Sequence, residues 1–207
     1  MNGSLGGSVE AKKAAFDALA PRWDAIKPDE AVAAGIERGL SLLGSLSGLS
    51  IVDLGCGTGR LEAQLLPRIG EGSITAIDFS PAMIEKAALR CPDPRVTWLC
   101  RDVRETGLAS SSAGLVLCFD AFPHFPDSHD VLAEVVRWLR PGGAFLLWHD
   151  VGRERLAEIH RRAGPPVDED LLPPMSELSE LASRAGFVIE RAEEDSTSYT
   201  FLARVSG

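Results

Sequence analysis

Two hydrophobic rhythms alternate along most of the chain. Short apolar runs at Ser50–Leu54, Ser73–Asp78, Arg95–Cys100, Gly114–Phe119 and Gly143–His149 read as strands. Between them, Arg60–Pro67, Pro81–Leu89 and Ser128–Leu139 carry apolar residues at helical spacing; in the last, Val131, Leu132, Val135, Val136 and Leu139 form one stripe. Strand and helix in turn imply βαβ units and a parallel sheet. Punctuation agrees with the periodicity. Ser80-Pro81 supplies an N-cap and a proline at the first helical position, and Pro141-Gly142-Gly143 ends one helix and opens the next strand.

Both ends depart from this rhythm. Residues 9–45 form a helical cap, with helices from Val9 to about Ala20 and from Asp29 to Leu43, broken by Pro21 and Pro28. Residues 1–8 are Gly/Ser-rich and are expected to be disordered. Near the C-terminus, Ser176 is expected to cap a helix that Gly186 closes. Strands Phe187–Arg191 and Thr197–Val205 then flank the acidic turn Glu193-Glu194-Asp195-Ser196. The expected fold is α/β: a seven-stranded, mostly parallel sheet with a C-terminal antiparallel hairpin and helices on both faces. Residues 150–174 interrupt it as an insertion too long for an ordinary connection, carrying a helix at Arg153–Arg162 and two proline pairs, and are expected to cover the functional site.

Composition narrows the classes. A chain of 207 residues is one domain, here 9–207, able to bury roughly 70% of its unfolded surface. A net charge of −9 has the wrong sign for general phosphate neutralisation, so no nucleic-acid partner is expected. Cys56, Cys91, Cys100 and Cys118 show neither CxxC pairing nor regular spacing, so neither a disulfide framework nor a metal site is expected. The first residues lack the charge and apolar run of a signal peptide, and the longest apolar run, Ala144 to Trp148, is too short for a bilayer. The expectation is a soluble cytoplasmic protein, monomer or homodimer, without membrane attachment.

The chemistry concentrates in Ile51-Val52-Asp53-Leu54-Gly55-Cys56-Gly57-Thr58-Gly59, where an apolar strand runs into a glycine turn and a helix opens. Glycines let a ligand approach the backbone without meeting a Cβ. Asp78, at the end of the next strand, suits a carboxylate accepting from both hydroxyls of a ribose. The spacing is GxGxG and not the GxGxxG of dinucleotide-binding turns.

VDLGCGTG together with AIDFSPAMIEKA resembles the class I S-adenosylmethionine-dependent methyltransferases, over about Phe16 to Val205. The resemblance implies a Rossmann-like fold, S-adenosylmethionine as cofactor and methyl transfer to a small molecule. It assigns the cofactor loop to Asp53, Gly55, Cys56 and Gly57, the ribose contact to Asp78, and the adenine surroundings to Phe79, Met83, Asp102 and Val103. Phe119 and Asp120 end the fourth strand, where the family passes nearest the reactive sulfonium. The segment FDALAPRWD, which contains Trp23, is similar to the cap of small-molecule members related to quinone-biosynthetic methyltransferases, although the 150–174 insertion departs from their simplest pattern.

Methyl transfer from a cationic sulfur demands positioning above all. Phe16, Trp23, Phe119, Phe122 and Phe125 are candidates for a sulfonium-facing aromatic. His124, His149 and Asp120 are candidate catalytic residues, because a neutral acceptor must lose a proton. His160 reads more readily as a solvent-facing residue. Arg153, Arg155, Arg161 and Arg162 either hold an anionic group or form a solvated face with Glu154 and Glu158. Two other readings stay open: an NAD(P)-dependent oxidoreductase, and a cofactor-binding module without turnover.

Overall fold

The computed structural model describes residues 8–207. The expected disorder of residues 1–8 therefore lies outside the described residues except at Ser8, whose hydroxyl accepts from Ala11 N and caps helix α1 (Val9–Leu19). A short helix α2 (Trp23–Ile26) and α3 (Asp29–Leu40) follow; α3 stops before the expected Leu43. The central run is β1 (Ser50–Leu54), α4 (Arg60–Leu65), β2 (Ser73–Asp78), α5 (Pro81–Arg90), β3 (Val96–Cys100), β4 (Ala113–Phe119), α6 (Ser128–Trp138) and β5 (Leu139–His149). Then come α7 (Arg153–Ala163), α8 (Met175–Ala185), β6 (Phe187–Glu194) and β7 (Tyr199–Val205).

The sheet of seven strands has the order β3-β2-β1-β4-β5-β7-β6. The five strands before α7 pair in parallel, and β7 runs antiparallel to both β5 and β6. Both faces are covered, which is why the strands read as continuous apolar runs. Alternation along each strand divides the core: Val52, Leu54, Val116 and Cys118 pack with α6 and α8, while Ile51, Leu115 and Leu117 pack with α3 and α4.

Three local expectations change. Strand β5 begins at Leu139 and not at Gly143. Leu139 already pairs with Ala113, and the Pro-Gly-Gly segment is absorbed as a register shift before Ala144 pairs with Leu115. Helix α8 begins at Met175, with Pro174 rather than Ser176 at the cap; the fixed φ of proline (−53°) sets the helix entry without a side-chain hydrogen bond. The hairpin turn falls later than expected, because the Asp195 carboxylate accepts from Thr197 N and Ser198 N and bends the chain there. Among the described residues no helix is long and apolar enough to cross a membrane.

Candidate functional site

A cavity of about 470 Å³ opens at the carboxyl ends of β1, β2 and β4, within the range of small-molecule sites. Its floor is the glycine turn. Gly55 has φ +82°, and a Cβ there would stand 2.4 Å from the Ala121 Cβ. A Cβ on Gly57 would instead meet only Trp23 Nε1, in ordinary contact at 3.7 Å. The first glycine lets β1 pass the β4 loop closely, and the second leaves a ligand-sized approach to the backbone.

Asp78 closes this turn from β2. Gly57 N donates to Oδ2 and Ser80 N to Oδ1, both at 2.9 Å, so each carboxylate oxygen keeps a lone pair for a ligand hydroxyl. Burial pushes its pKa up to about 6 against the pull of these two backbone donors. Beneath the turn Asp53 and Glu62 are buried together. Desolvation raises both, Asp53 to about 6 and Glu62 well above the usual carboxylate range; Asp53 raises Glu62 further, whereas Glu62 draws Asp53 down. Asp53 Oδ2 and both Glu62 oxygens lack a hydrogen-bond partner, and Asp53 lines the cavity.

An aromatic wall rises opposite. The Phe16 ring lies edge-on to Trp23 at 5.6 Å, Phe79 at 5.7 Å and His124 at 5.0 Å, and all four line the cavity with Cys56, Met83, Asp102 and Val103. Asp102 reaches it with a carboxylate already bound by the Arg104 guanidinium at 2.9 and 3.0 Å, which holds its pKa down. Phe119 and Phe125 also line the cavity, whereas Phe122 belongs to the core.

The candidate catalytic residues separate. His124 and Asp120 line the cavity. His149 is not brought to it. Strand alternation places His149 on the Phe145 and Leu147 face, and burial, with the charges of His124 and neighbours, lowers its pKa to about 3. It stays neutral behind Asp120, its Nδ1 3.5 Å from Oδ1. His160, expected at the surface, is buried; its Nδ1 donates to the Asp170 carbonyl at 2.6 Å, and its ring lies 4.9 Å from that of His124. The arginines of α7 do form a solvated face, Arg155 and Arg162 pairing with Glu158 and Arg153 with Glu194.

Several cavity groups went unread in the sequence. Lys27 bridges Asp120 (3.3 Å) and Asp150, with its Nζ 6.0 Å from the Phe119 ring centre. Asp120 itself sits at φ +52°, a strained conformation that Asp tolerates better than most residues. Asp24 ties the cap to the glycine turn: it accepts from Thr58 Oγ1 at 2.6 Å and pairs with Arg90 at 2.6 Å and Arg60 at 3.1 Å. Burial would raise its pKa, but these partners hold it down. Across the cavity, Asp170 of the insertion pairs with Lys12 at 2.5 Å and with His124 at 2.8 Å. The one available signal was Asp24, inside the FDALAPRWD segment; the other partners lie too far apart in sequence for any local pattern to join them.

Residues 51–143 match the model of a methyltransferase domain family. Malonyl-[acyl-carrier protein] O-methyltransferase of Acetivibrio thermocellus is 35% identical over 136 residues, 63% of this chain and 47% of that one. Ubiquinone biosynthesis O-methyltransferase of Xanthomonas oryzae pv. oryzae is 32% identical over 139 residues, 64% of this chain and 57% of that one. The chain thus spans about half the length of the curated relatives it matches. Among solved structures, a methyltransferase in complex with the Haloferax volcanii Trm112 methyltransferase activator superposes with a TM-score of 0.80 at 19% identity, over 97% of this chain and 100% of that one. Haemonchus contortus phosphoethanolamine N-methyltransferase 2, solved with S-adenosyl-L-methionine, gives 0.69 at 19% identity, over 83% and 52%. These two likenesses bear on the fold alone.

Proposed function

We propose that the chain is a class I S-adenosylmethionine-dependent methyltransferase and that it transfers the methyl group of S-adenosylmethionine to a small-molecule acceptor held beneath the N-terminal cap. The observation that carries the reading is the Asp78 carboxylate. It is fixed by Gly57 N–H inside the cavity, with a lone pair left on each oxygen.

The residues present fit this cofactor. Asp78 suits the two ribose hydroxyls, the open face of Gly57 suits backbone contact, and the unpartnered Oδ2 of Asp53 suits a cationic amino group. Phe79, Met83 and Val103 supply the apolar surround of an adenine, while Asp102 would share its carboxylate between Arg104 and the adenine amine. When bound, S-adenosylmethionine supplies a methyl group on a positively charged sulfur, which needs no acid to leave. The protein's part is then to exclude water, align the acceptor and take its proton. The cap of residues 9–45 and the insertion of residues 150–174 cover the acceptor side, since Lys12, Phe16, Trp23 and Lys27 line the cavity with Glu169, Asp170 and Leu171. His124 is the proton acceptor. Asp120, steadied by Lys27, positions the acceptor, and neutral His149 supports Asp120 from behind.

Titration calorimetry with S-adenosylmethionine, followed by incubation of labelled cofactor with small-molecule extracts, tests the reading. Binding accompanied by a labelled small-molecule product is expected. Binding with no product would leave a binding module, and no binding would overturn the proposal. The pH dependence has a definite sign. Asp78 is a carboxylate above about pH 6 and a carboxyl below it, and only the carboxylate accepts from both hydroxyls. The dissociation constant is therefore expected to rise about tenfold between pH 7 and pH 5 through Asp78, with that part of the slope lost in Asp78→Asn and the part carried by Asp53 retained. An equal slope in that variant would assign the titration to another group.

A further inference from the structure

His124 does not stand alone at the cavity wall. Its Nδ1 lies 2.8 Å from Asp170 Oδ2, and the other oxygen of that carboxylate takes Lys12 Nζ at 2.5 Å. Asp170 and Lys12 are both buried, and the Asp170 carbonyl is held by His160 Nδ1 at 2.6 Å. Burial would raise the Asp170 pKa, but His124 and Lys12 outweigh it and keep the carboxylate ionised. An ionised carboxylate only accepts hydrogen bonds, so a neutral imidazole beside it must carry its proton on Nδ1. The lone pair then resides on Nε2, which has no hydrogen-bond partner among the described residues, on a side chain that lines the cavity.

We infer that Asp170 is a positioning residue that holds His124 in the Nδ1–H form, and that the acceptor is a hydroxyl or N–H compound whose reacting atom gives its proton to Nε2. This deepens the methyltransferase reading and rests on it. The acceptor oxygen or nitrogen forms its bond to the methyl carbon as the carbon–sulfur bond breaks, and that electron pair stays with sulfur. The proton passes to Nε2, and Asp170 stabilises the resulting imidazolium before it returns the proton to water. Carboxylate and thiolate acceptors would have no use for such a base. Three elements converge to build it: the loop after β4 brings His124, α1 brings Lys12, and the insertion brings Asp170 against His160 of α7.

The tautomer can be read without cofactor or acceptor, so its failure is separable from failure of the methyltransferase reading. Long-range proton–nitrogen NMR spectra of histidine-labelled protein at alkaline pH are expected to show neutral His124 protonated on Nδ1. Protonation on Nε2, or the averaged pattern of a free imidazole, would overturn the assignment. In Asp170→Asn the Nδ1–H preference of neutral His124 is expected to give way to the averaged pattern, while S-adenosylmethionine affinity stays within about twofold. The pair Lys12→Met with Asp170→Asn avoids leaving Lys12 buried and unpaired, and should show the same change; an unchanged Nδ1–H tautomer in both would remove Asp170 from the role. With methyl-carbon-13 cofactor and extract of the source organism, the labelled product is expected to be an O-methyl ether or an N-methyl amine. An S-methyl or methyl-ester product would overturn the acceptor class.

Discussion

Asp78→Asn is expected to raise the dissociation constant for S-adenosylmethionine about a hundredfold while leaving the melting temperature nearly unchanged. Both carboxylate oxygens already accept one backbone N–H, so the geometry toward a ligand is fixed before binding. Hydrogen bonds to a charged acceptor contribute about 1.5–3 kcal/mol each. The amide keeps one acceptor oxygen, now neutral, and turns the other position into a donor facing hydroxyls and a backbone N–H. Losing one charged bond and weakening the second costs about 2.7 kcal/mol, or two decades in affinity. Because Asp78 is held partly protonated near pH 6 by burial, the uncharged amide relieves some desolvation, and stability should not suffer. Calorimetry paired with thermal unfolding separates the two effects. Tight binding by a well-folded Asp78→Asn would end the ribose assignment, and with it the main support for the cofactor.

Gly39→Ala is expected to destabilise the whole chain, although alanine is the better helix former. A Cβ at Gly39 would stand 2.3 Å from Trp148 Cε2 and 2.6 Å from its Nε1, so α3 packs backbone against indole. The same indole donates to the Gly35 carbonyl at 3.0 Å and stacks on Phe119 at 4.9 Å. Overpacking of this kind costs about 1–3 kcal/mol, which exceeds the roughly 1 kcal/mol that alanine gains in a helix interior when the clash is at the upper end. A fall of roughly 4–8 °C in melting temperature follows. Phe119 lines the cavity, so ligand affinity should fall with it. Gly44→Ala is the control, since nothing lies within 4 Å of its added Cβ; equal losses in both variants would point away from the indole contact.

What was legible in the sequence follows physical lines. The glycine turn could be read because the residues that make it are contiguous, and Asp78 because strand length and turn spacing fix where β2 ends. His124 lines the cavity because the loop after β4 carries it there, whereas His149, also at a strand end, does not. The difference is one of parity. Trp148 and His149 point to opposite faces, and His149 lies on the face packed by α6 and α8, with the Tyr199 ring of β7 6.2 Å beside it. Which face is covered by which helix is not written in a strand's own pattern.

By itself, then, the sequence determined the parallel sheet, its C-terminal hairpin and the cofactor turn, because each depends on local periodicity or on adjacent residues. Tertiary structure alone decided the acceptor side. Lys27 meets Asp120 and Asp150, and Asp170 meets Lys12 and His124, only after the cap and the insertion fold over the carboxyl ends of the strands. Charged residues on exposed-looking helices carry no periodic signal of a distant partner. Their pairing is selected by burial, which makes an unpaired charge costly and so decides where the cap must settle.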